Sequence, residues 1–169
     1  VEEAVIVRLD QVRPAARGIS VALTSGCFDP LHVGHLQMLH AMSQMAPILV
    51  VLVNSDTWIQ RYKGHAPFMA AVDRAEILSS LGVVDMVVIT DGDPQGTVAD
   101  AISRIRPAVF AKGGDIQRAE DLPAAERDAC QASGCRVAVG VGGEKIRSSS
   151  ELRAAAAQIK AESIKEPAA

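Results

Sequence analysis

The stretch Ser25-Gly26-Cys27-Phe28-Asp29-Pro30-Leu31-His32-Val33-Gly34-His35-Leu36 decides how the rest of the chain reads. The apolar run Val21-Ala22-Leu23 leads into small residues, and two histidines three apart then open a helical pattern. A buried strand that passes through glycine into a helix start turns backbone N–H groups toward an anion. Two imidazoles at that electropositive corner make it a place to handle phosphate. A lone histidine there would more often pack or cap, but a pair three apart shares one helix face. Gly34 between them lacks a Cβ and lets a ligand approach the backbone. A zinc site is the weaker rival, because two histidines do not make the full ligand set that zinc takes.

The 169 residues suit a single domain over 1–169, with a core from about 19 to 152 between a lead-in and a C-terminal helix and tail. A hydrophobic share of 49% with 22% charged residues is that of an ordinary globular protein. The net charge of −3 argues against a general nucleic-acid binder, without excluding a local basic pocket. The longest apolar run, Pro47 to Val53, is far short of the ~20 residues that span a bilayer. The N-terminal residues carry no signal-peptide pattern, and the three cysteines form no metal spacing, so a reduced cytoplasmic protein is expected.

Further along, Leu36, Leu39, Met42 and Met45 recur at helical spacing from His35 onward. Ile48-Leu49-Val50-Val51-Leu52-Val53 is the unbroken apolar run of a parallel strand buried on both faces. A polar stretch from Asn54 through Lys63 follows. Met69, Val72, Ile77, Leu78 and Leu81 then predict a helix stopped by Gly82. Strands are expected at Asp85–Thr90, Ala108–Ala111 and Arg136–Val141. Helices are expected through Val98, Ile102 and Ile105, over Pro123–Ser133, and from about Ser149 into a tail that frays toward Pro167. In Val1 to Gly18, Val5-Ile6-Val7 could start a strand, while Val5, Leu9 and Val12 also fit one helical face broken near Pro14; a helix or a lead-in is expected. The alternation predicts a Rossmann-like α/β fold, a doubly wound parallel sheet of about five strands with helices on both faces. Ligands in such sheets sit beyond the carboxyl ends of the strands. Four polar clusters fall there: Ser25 to His35, Asn54 to Lys63, Lys112 to Asp115, and Gly142 to Ser150.

Gly26 to His35 resembles the HxGH signature of the nucleotidyltransferase superfamily in its cytidylyltransferase-like branch. Within that branch the chain is most similar to heptose 1-phosphate adenylyltransferases of ADP-heptose synthesis, with glycerol-3-phosphate cytidylyltransferases next. The similarity runs on through Val53-Asn54-Ser55-Asp56, Tyr62-Lys63-Gly64, Asp73-Arg74-Ala75, Val84-Asp85 and Lys112-Gly113-Gly114-Asp115. The resemblance implies an in-line displacement: a sugar or alcohol phosphate attacks the α-phosphorus of a nucleoside triphosphate, and pyrophosphate leaves. In that role His32 and His35 stabilise the transition state, and Lys63 neutralises substrate phosphate or the reacting centre.

Nucleotide contacts fall by resemblance to Ser25, Gly26, Cys27, Phe28, Gly34, Lys112, Gly113, Gly114, Asp115, Arg147, Ser148, Ser149 and Ser150. The family's late Ser-Thr-Thr is here Ser148-Ser149-Ser150 before Glu151, so which serine holds the β- and γ-phosphates is open. Glu151 must turn away from those phosphates or help hold the metal. Substrate contacts fall to Asp29, Asn54, Asp56 and Arg74, although Asp29 and Asp56 also suit turn or strand ends and Arg74 a salt bridge. His40 reads as structural; His65 could reach substrate and Trp58 could shield the site, but the expectation goes against both. The implied cofactor is Mg²⁺ arriving with the triphosphate. The implied partners are ATP by preference or CTP, and a sugar or alcohol phosphate. No nucleic acid or membrane is implied, and a homodimer is left open. A non-catalytic nucleotide-binding module on the same fold is the reading from another class.

Overall fold

The run Ile48 to Val53 is apolar on both faces of its pleat and forms β3 (Ile48–Asn54), well inside an all-parallel sheet. The computed structural model describes residues 4–13, 18–143 and 147–165. Their order is β1 (Val5–Arg8), β2 (Val21–Gly26), α1 (Val33–Ser43), β3, α2 (Asp56–Lys63), α3 (Ala71–Ser79), β4 (Met86–Thr90), α4 (Ala99–Ile105), β5 (Val109–Gly113), α5 (Ala124–Ser133), β6 (Arg136–Val141) and α6 (Ser149–Lys165). The break at Pro14, part of the Gly142 to Ser150 cluster (144–146) and the fraying at Pro167 lie outside the described residues.

The six strands are ordered β1-β4-β3-β2-β5-β6. Leu23, Val50, Leu52, Val88 and Phe110 pack on one face against Ala101, Ile102 and Ile105 of α4 and Ala129 and Cys130 of α5. Ala22, Val51, Val53, Val87, Val109 and Ala111 pack on the other against Leu39 and Met42 of α1 and Ala75 and Leu78 of α3. Period-two alternation therefore builds two apolar layers, as the doubly wound reading requires.

The chain runs β2, β3, β4 in one direction, then crosses back to lay β5 on the far side of β2. The β2–β3 ladder continues to Gly26 opposite Val53, whereas the β2–β5 pairing is confined to Ala22 with Val109 and Leu23 with Phe110. Beyond Leu23 those two strands diverge. Their carboxyl ends leave the crevice at the switch point where ligands of such sheets bind.

Three sequence expectations need correction. Val5–Arg8 is neither helix nor lead-in but a sixth strand, Val5 pairing with Met86 at the sheet edge. Its side chains are too exposed (Val5 56%, Ile6 43%) to imprint a pattern, and the open edge of β4 supplies the hydrogen bonds. The polar stretch after β3 contains a helix, α2: the Ser55 hydroxyl accepts from the Trp58 N–H at 3.0 Å, and Gly64 closes it at φ 72°. Only Ile59 of α2 is buried, so it lacks an apolar stripe. In α3, Val72 (63% exposed) and Ile77 (40%) face outward, while Ala71, Arg74, Ala75 and Leu78 face inward. That helix ends at Ser79, with the Ser80 N–H closing on the Glu76 carbonyl, before Gly82 is reached. Among the described residues no helix is long and apolar enough to cross a membrane.

Candidate active site

A cleft of roughly 520 Å³ opens over the switch point, and its lining draws on both layers: Val98, Ile116 and Leu122 from one, Phe28, Met38 and Val141 from the other. The volume is that of a site for a small organic ligand. All four predicted polar clusters reach it. Ser25, Gly26, Cys27, Phe28, Asp29, His32, Gly34 and His35 line it from the first cluster, Asn54 and Lys63 from the second. Lys112, Gly113, Gly114 and Asp115 line it from the third, and Arg147, Ser148, Ser149 and Ser150 from the fourth.

His32 is the residue before α1, in extended conformation, and its carbonyl accepts from the His35 N–H at 2.9 Å. The two imidazoles stack with centroids 3.8 Å apart at 18°. Phe28, whose φ of 52° is unusual for a bulky residue, sets its ring 4.9 Å from that of His35. The His32 N–H donates to His35 Nδ1 at 3.3 Å, so the proton of a neutral His35 resides on Nε2. Burial, with the adjacent His32, pushes the His35 pKa down to about 4 against a smaller opposing pull from Asp115. His35 is therefore a neutral hydrogen-bond donor at physiological pH.

Lys112 crosses the opening between β5 and β2. Its ammonium donates to the Ser25 carbonyl at 3.1 Å and the Ser25 hydroxyl at 2.5 Å. Burial pulls its pKa below the ordinary lysine value, countered in part by the charge of Glu126. Lys63, at the end of α2, stands 5.8 Å over the ring of Trp58. The Trp58 indole N–H is anchored on the Gly96 carbonyl at 3.0 Å.

The start of α6 faces this constellation. Ser148 precedes the helix: its hydroxyl accepts from the Glu151 N–H at 3.2 Å and its carbonyl from the Leu152 N–H at 3.1 Å. The Ser149 hydroxyl donates to the Pro30 carbonyl at 2.9 Å, tying the helix to the histidine loop. Glu151 is exposed and outside the cleft lining, so it turns away. A helix N-terminus with Arg147 beside it suits an anion.

Two candidates do not reach the cleft. Arg74 is 1% exposed; its guanidinium donates to the carbonyls of Met69, Cys27 and Asn54 and to Asp56 Oδ1 at 2.7 Å. Arg74 and Asp56 thus form a clamp over the ends of β2 and β3 rather than a substrate contact, because each nitrogen of that fork already donates to a protein acceptor. Asp29 borders the cleft, but both its oxygens accept from the Phe68 and Met69 N–H groups at 2.8 Å. It holds the loop before α3. Asn54 directs its amide toward Cys27 Sγ at 3.6 Å.

Other lining residues escaped the sequence reading. Arg153 follows Ser149 by one helical turn, a spacing that places it on the same face, and meets His65 Nε2 at 2.5 Å. His65, expected to stay away from substrate, therefore lies in the lining, and its Nδ1 approaches the Ala66 carbonyl at 2.9 Å. Glu126 carries no sequence signal, since only the docking of α5 brings it to the cleft.

The cytidylyltransferase-like family matches residues 23–154. Bifunctional protein HldE of Bradyrhizobium diazoefficiens is 45% identical over 103 residues, 60% of this chain and 20% of that protein. Its namesake in Campylobacter concisus is 40% identical over 116 residues, 68% of this chain and 24% of that protein. The chain thus spans about a fifth to a quarter of the length of these relatives. Among solved structures, the lipopolysaccharide core biosynthesis protein from Thermoplasma volcanium superposes with a TM-score of 0.59 at 25% identity, covering 72% of this chain and 96% of that one. Pantoate-beta-alanine ligase from Francisella tularensis shares the fold, with a TM-score of 0.57 at 13% identity over 80% of this chain and 66% of that one. With the histidine pair, the switch-point cleft and the first turn of the late helix all inside the matched span, this chain belongs to the cytidylyltransferase-like family.

Proposed function

We propose that this chain transfers a nucleoside monophosphate from a nucleoside triphosphate to a sugar phosphate, with ATP and heptose 1-phosphate as the preferred pair and pyrophosphate as the leaving group. The observation that carries the reading is the stacked His32–His35 pair at the mouth of α1, in one cleft with the N-terminus of α6. A terminal oxygen of the acceptor's phosphate forms a bond to the α-phosphorus as the bond from that phosphorus to the bridging β-oxygen breaks. The attacking phosphate is largely dianionic at neutral pH, with a second pKa of about 6, so no general base is needed. The requirement is for donors that meet growing charge on the α-phosphate, and a neutral His35 with its proton on Nε2 supplies one. His32 and Lys63 add to that field, Lys112 and Gly113 to Asp115 flank the nucleotide, and Arg147 with the first turn of α6 receives the β- and γ-phosphates.

Magnesium would enter with the triphosphate, held by phosphate oxygens and water. Among the described residues no three His, Cys, Asp or Glu side chains gather to hold an ion, so none is assigned as a ligand. The adenylyl and heptose assignments are supported by the motif resemblance and by the likeness to a lipopolysaccharide core biosynthesis protein.

The test is pyrophosphate release with ATP or CTP, each against heptose 1-phosphate and glycerol 3-phosphate. ATP with heptose 1-phosphate is expected to turn over fastest; a preference for CTP and glycerol 3-phosphate would replace the substrate assignment. Nucleotide binding without turnover on any acceptor would leave a binding module. His35→Ala is expected to lower kcat by on the order of 10²-fold with the fold intact, the loss typical of one transition-state donor.

A further inference from the structure

On the side of the cleft under α4 and α5, one buried carboxylate has an oxygen without a hydrogen-bond partner among the described residues. Glu126, in the first turn of α5, is 4% exposed. Its Oε1 accepts from the Val98 N–H at 3.2 Å, while its Oε2 is buried in the cleft lining without a hydrogen-bond partner. Leaving such an oxygen unmatched costs free energy, so the site suits a donor that the described residues do not supply.

The surroundings say which donor. Val98, which bonds the carboxylate, and Leu122 and Pro123, just before its helix, line the cleft with it, and Ile116 and Trp58 add to the apolar and aromatic part of the same lining. The charge of Glu126 already acts on Lys112, whose pKa it raises, so the carboxylate is partly balanced and does not call for a second cation. An apolar and aromatic lining with one acceptor in it matches a carbon skeleton carrying hydroxyl groups. His32, His35 and the Pro30 tether of α6 belong to the α1 layer, across the sheet from Glu126, and Lys112 marks the border with the nucleotide, which leaves the α4–α5 side of the cleft for the part of the acceptor beyond its phosphate.

The geometry points to Glu126 as the specificity residue for a polyhydroxylated acceptor, its Oε2 accepting a hydrogen bond from one acceptor hydroxyl. This rests on the transfer reading above and deepens it.

The test compares wild type with Glu126→Gln, which keeps the volume and an acceptor for the Val98 N–H, using heptose 1-phosphate and its monodeoxy analogues. The acceptor KM is expected to rise about tenfold in Glu126→Gln, with the nucleotide KM unchanged, as for loss of one charge-assisted hydrogen bond. One monodeoxy analogue should suffer the same loss with wild type but little further loss with Glu126→Gln, and the wild-type arm needs no variant. Equal acceptor KM and equal deoxy discrimination in the two proteins would overturn the assignment and leave the transfer reading intact. No turnover of any acceptor by wild type would overturn both. A preference for an amino-alcohol phosphate that Glu126→Gln abolishes would overturn the hydroxyl assignment in favour of an ammonium.

Discussion

Arg74→Met separates a structural clamp from a substrate-binding arginine. The guanidinium is buried and bonds three carbonyls, those of Met69 at 2.9 Å, Cys27 at 2.6 Å and Asn54 at 2.8 Å, besides the Asp56 carboxylate. Methionine fills most of the volume but offers no donor. Each buried carbonyl left unmatched costs about 1–3 kcal/mol. The Asp56 side chain is 39% exposed and can turn to water, so its share is small. Such losses are not additive, and breaking a buried charged network typically costs about 3–5 kcal/mol in all. With an m-value of about 2 kcal/mol per molar urea, the unfolding midpoint should fall by roughly 2 M. The assay is urea unfolding followed by tryptophan fluorescence, which Trp58 alone reports. Arg74→Lys, which keeps the charge but not the fork, should fall between. A change below about 1 kcal/mol, coupled to a large rise in acceptor KM, would refute the clamp and return Arg74 to the substrate.

Further outcomes follow from the same geometry. His35 stays neutral in the folded protein down to about pH 4, whereas in the unfolded chain it takes up its proton near 6.5. The unfolded state then binds more protons between those values, so stability falls as pH drops through that window. Urea midpoints of wild type and His35→Gln, compared at pH 7 and pH 4.5, should show the steeper loss in wild type; parallel losses would contradict the assignment. Gly142→Ala would set a Cβ 2.7 Å from Met38 Cα and 2.8 Å from Met38 N at φ 88°, a clash with backbone that no rotamer relieves. It should cost about 2–4 kcal/mol. Gly143→Ala, at φ 89° with nothing but its chain neighbours within 4 Å among the described residues, should cost only the left-handed term of about 1–2 kcal/mol. Thermal unfolding compares the pair, and equal losses would remove the close approach of this turn to α1 as a constraint.

The inner strands were legible because burial on both faces forces apolar runs, as in Val50 to Val53. The rim was legible because small and charged residues cannot continue such a strand. β1 was only half legible, because Val5-Ile6-Val7 fits either a strand or a helical face, and an edge strand with exposed Val5 and Ile6 is specified by its neighbour, not by its own pattern. In α3, exposed Val72 and Ile77 outweighed a buried arginine that no hydrophobicity rule would turn inward. Arg74 illustrates the harder limit: its partners are main-chain oxygens at Cys27 and Asn54, which carry no side-chain signature. Glu126 and His65 reach the cleft only through the docking of α5 and the path of the loop after α2, both set by tertiary packing.

The Ser149 hydroxyl on the Pro30 carbonyl has a thermodynamic corollary. From 151 to 160 the last helix is largely exposed and rich in alanine, so it draws its order from helical propensity and from tethers such as Ser149 to Pro30 and Arg153 to His65. Both tethers end on segments that border the cleft. An anion that bridged the histidine loop and the first turn of α6 would therefore nucleate that helix as well, and the helix's fraying equilibrium would become a gauge of occupancy read far from the ligand.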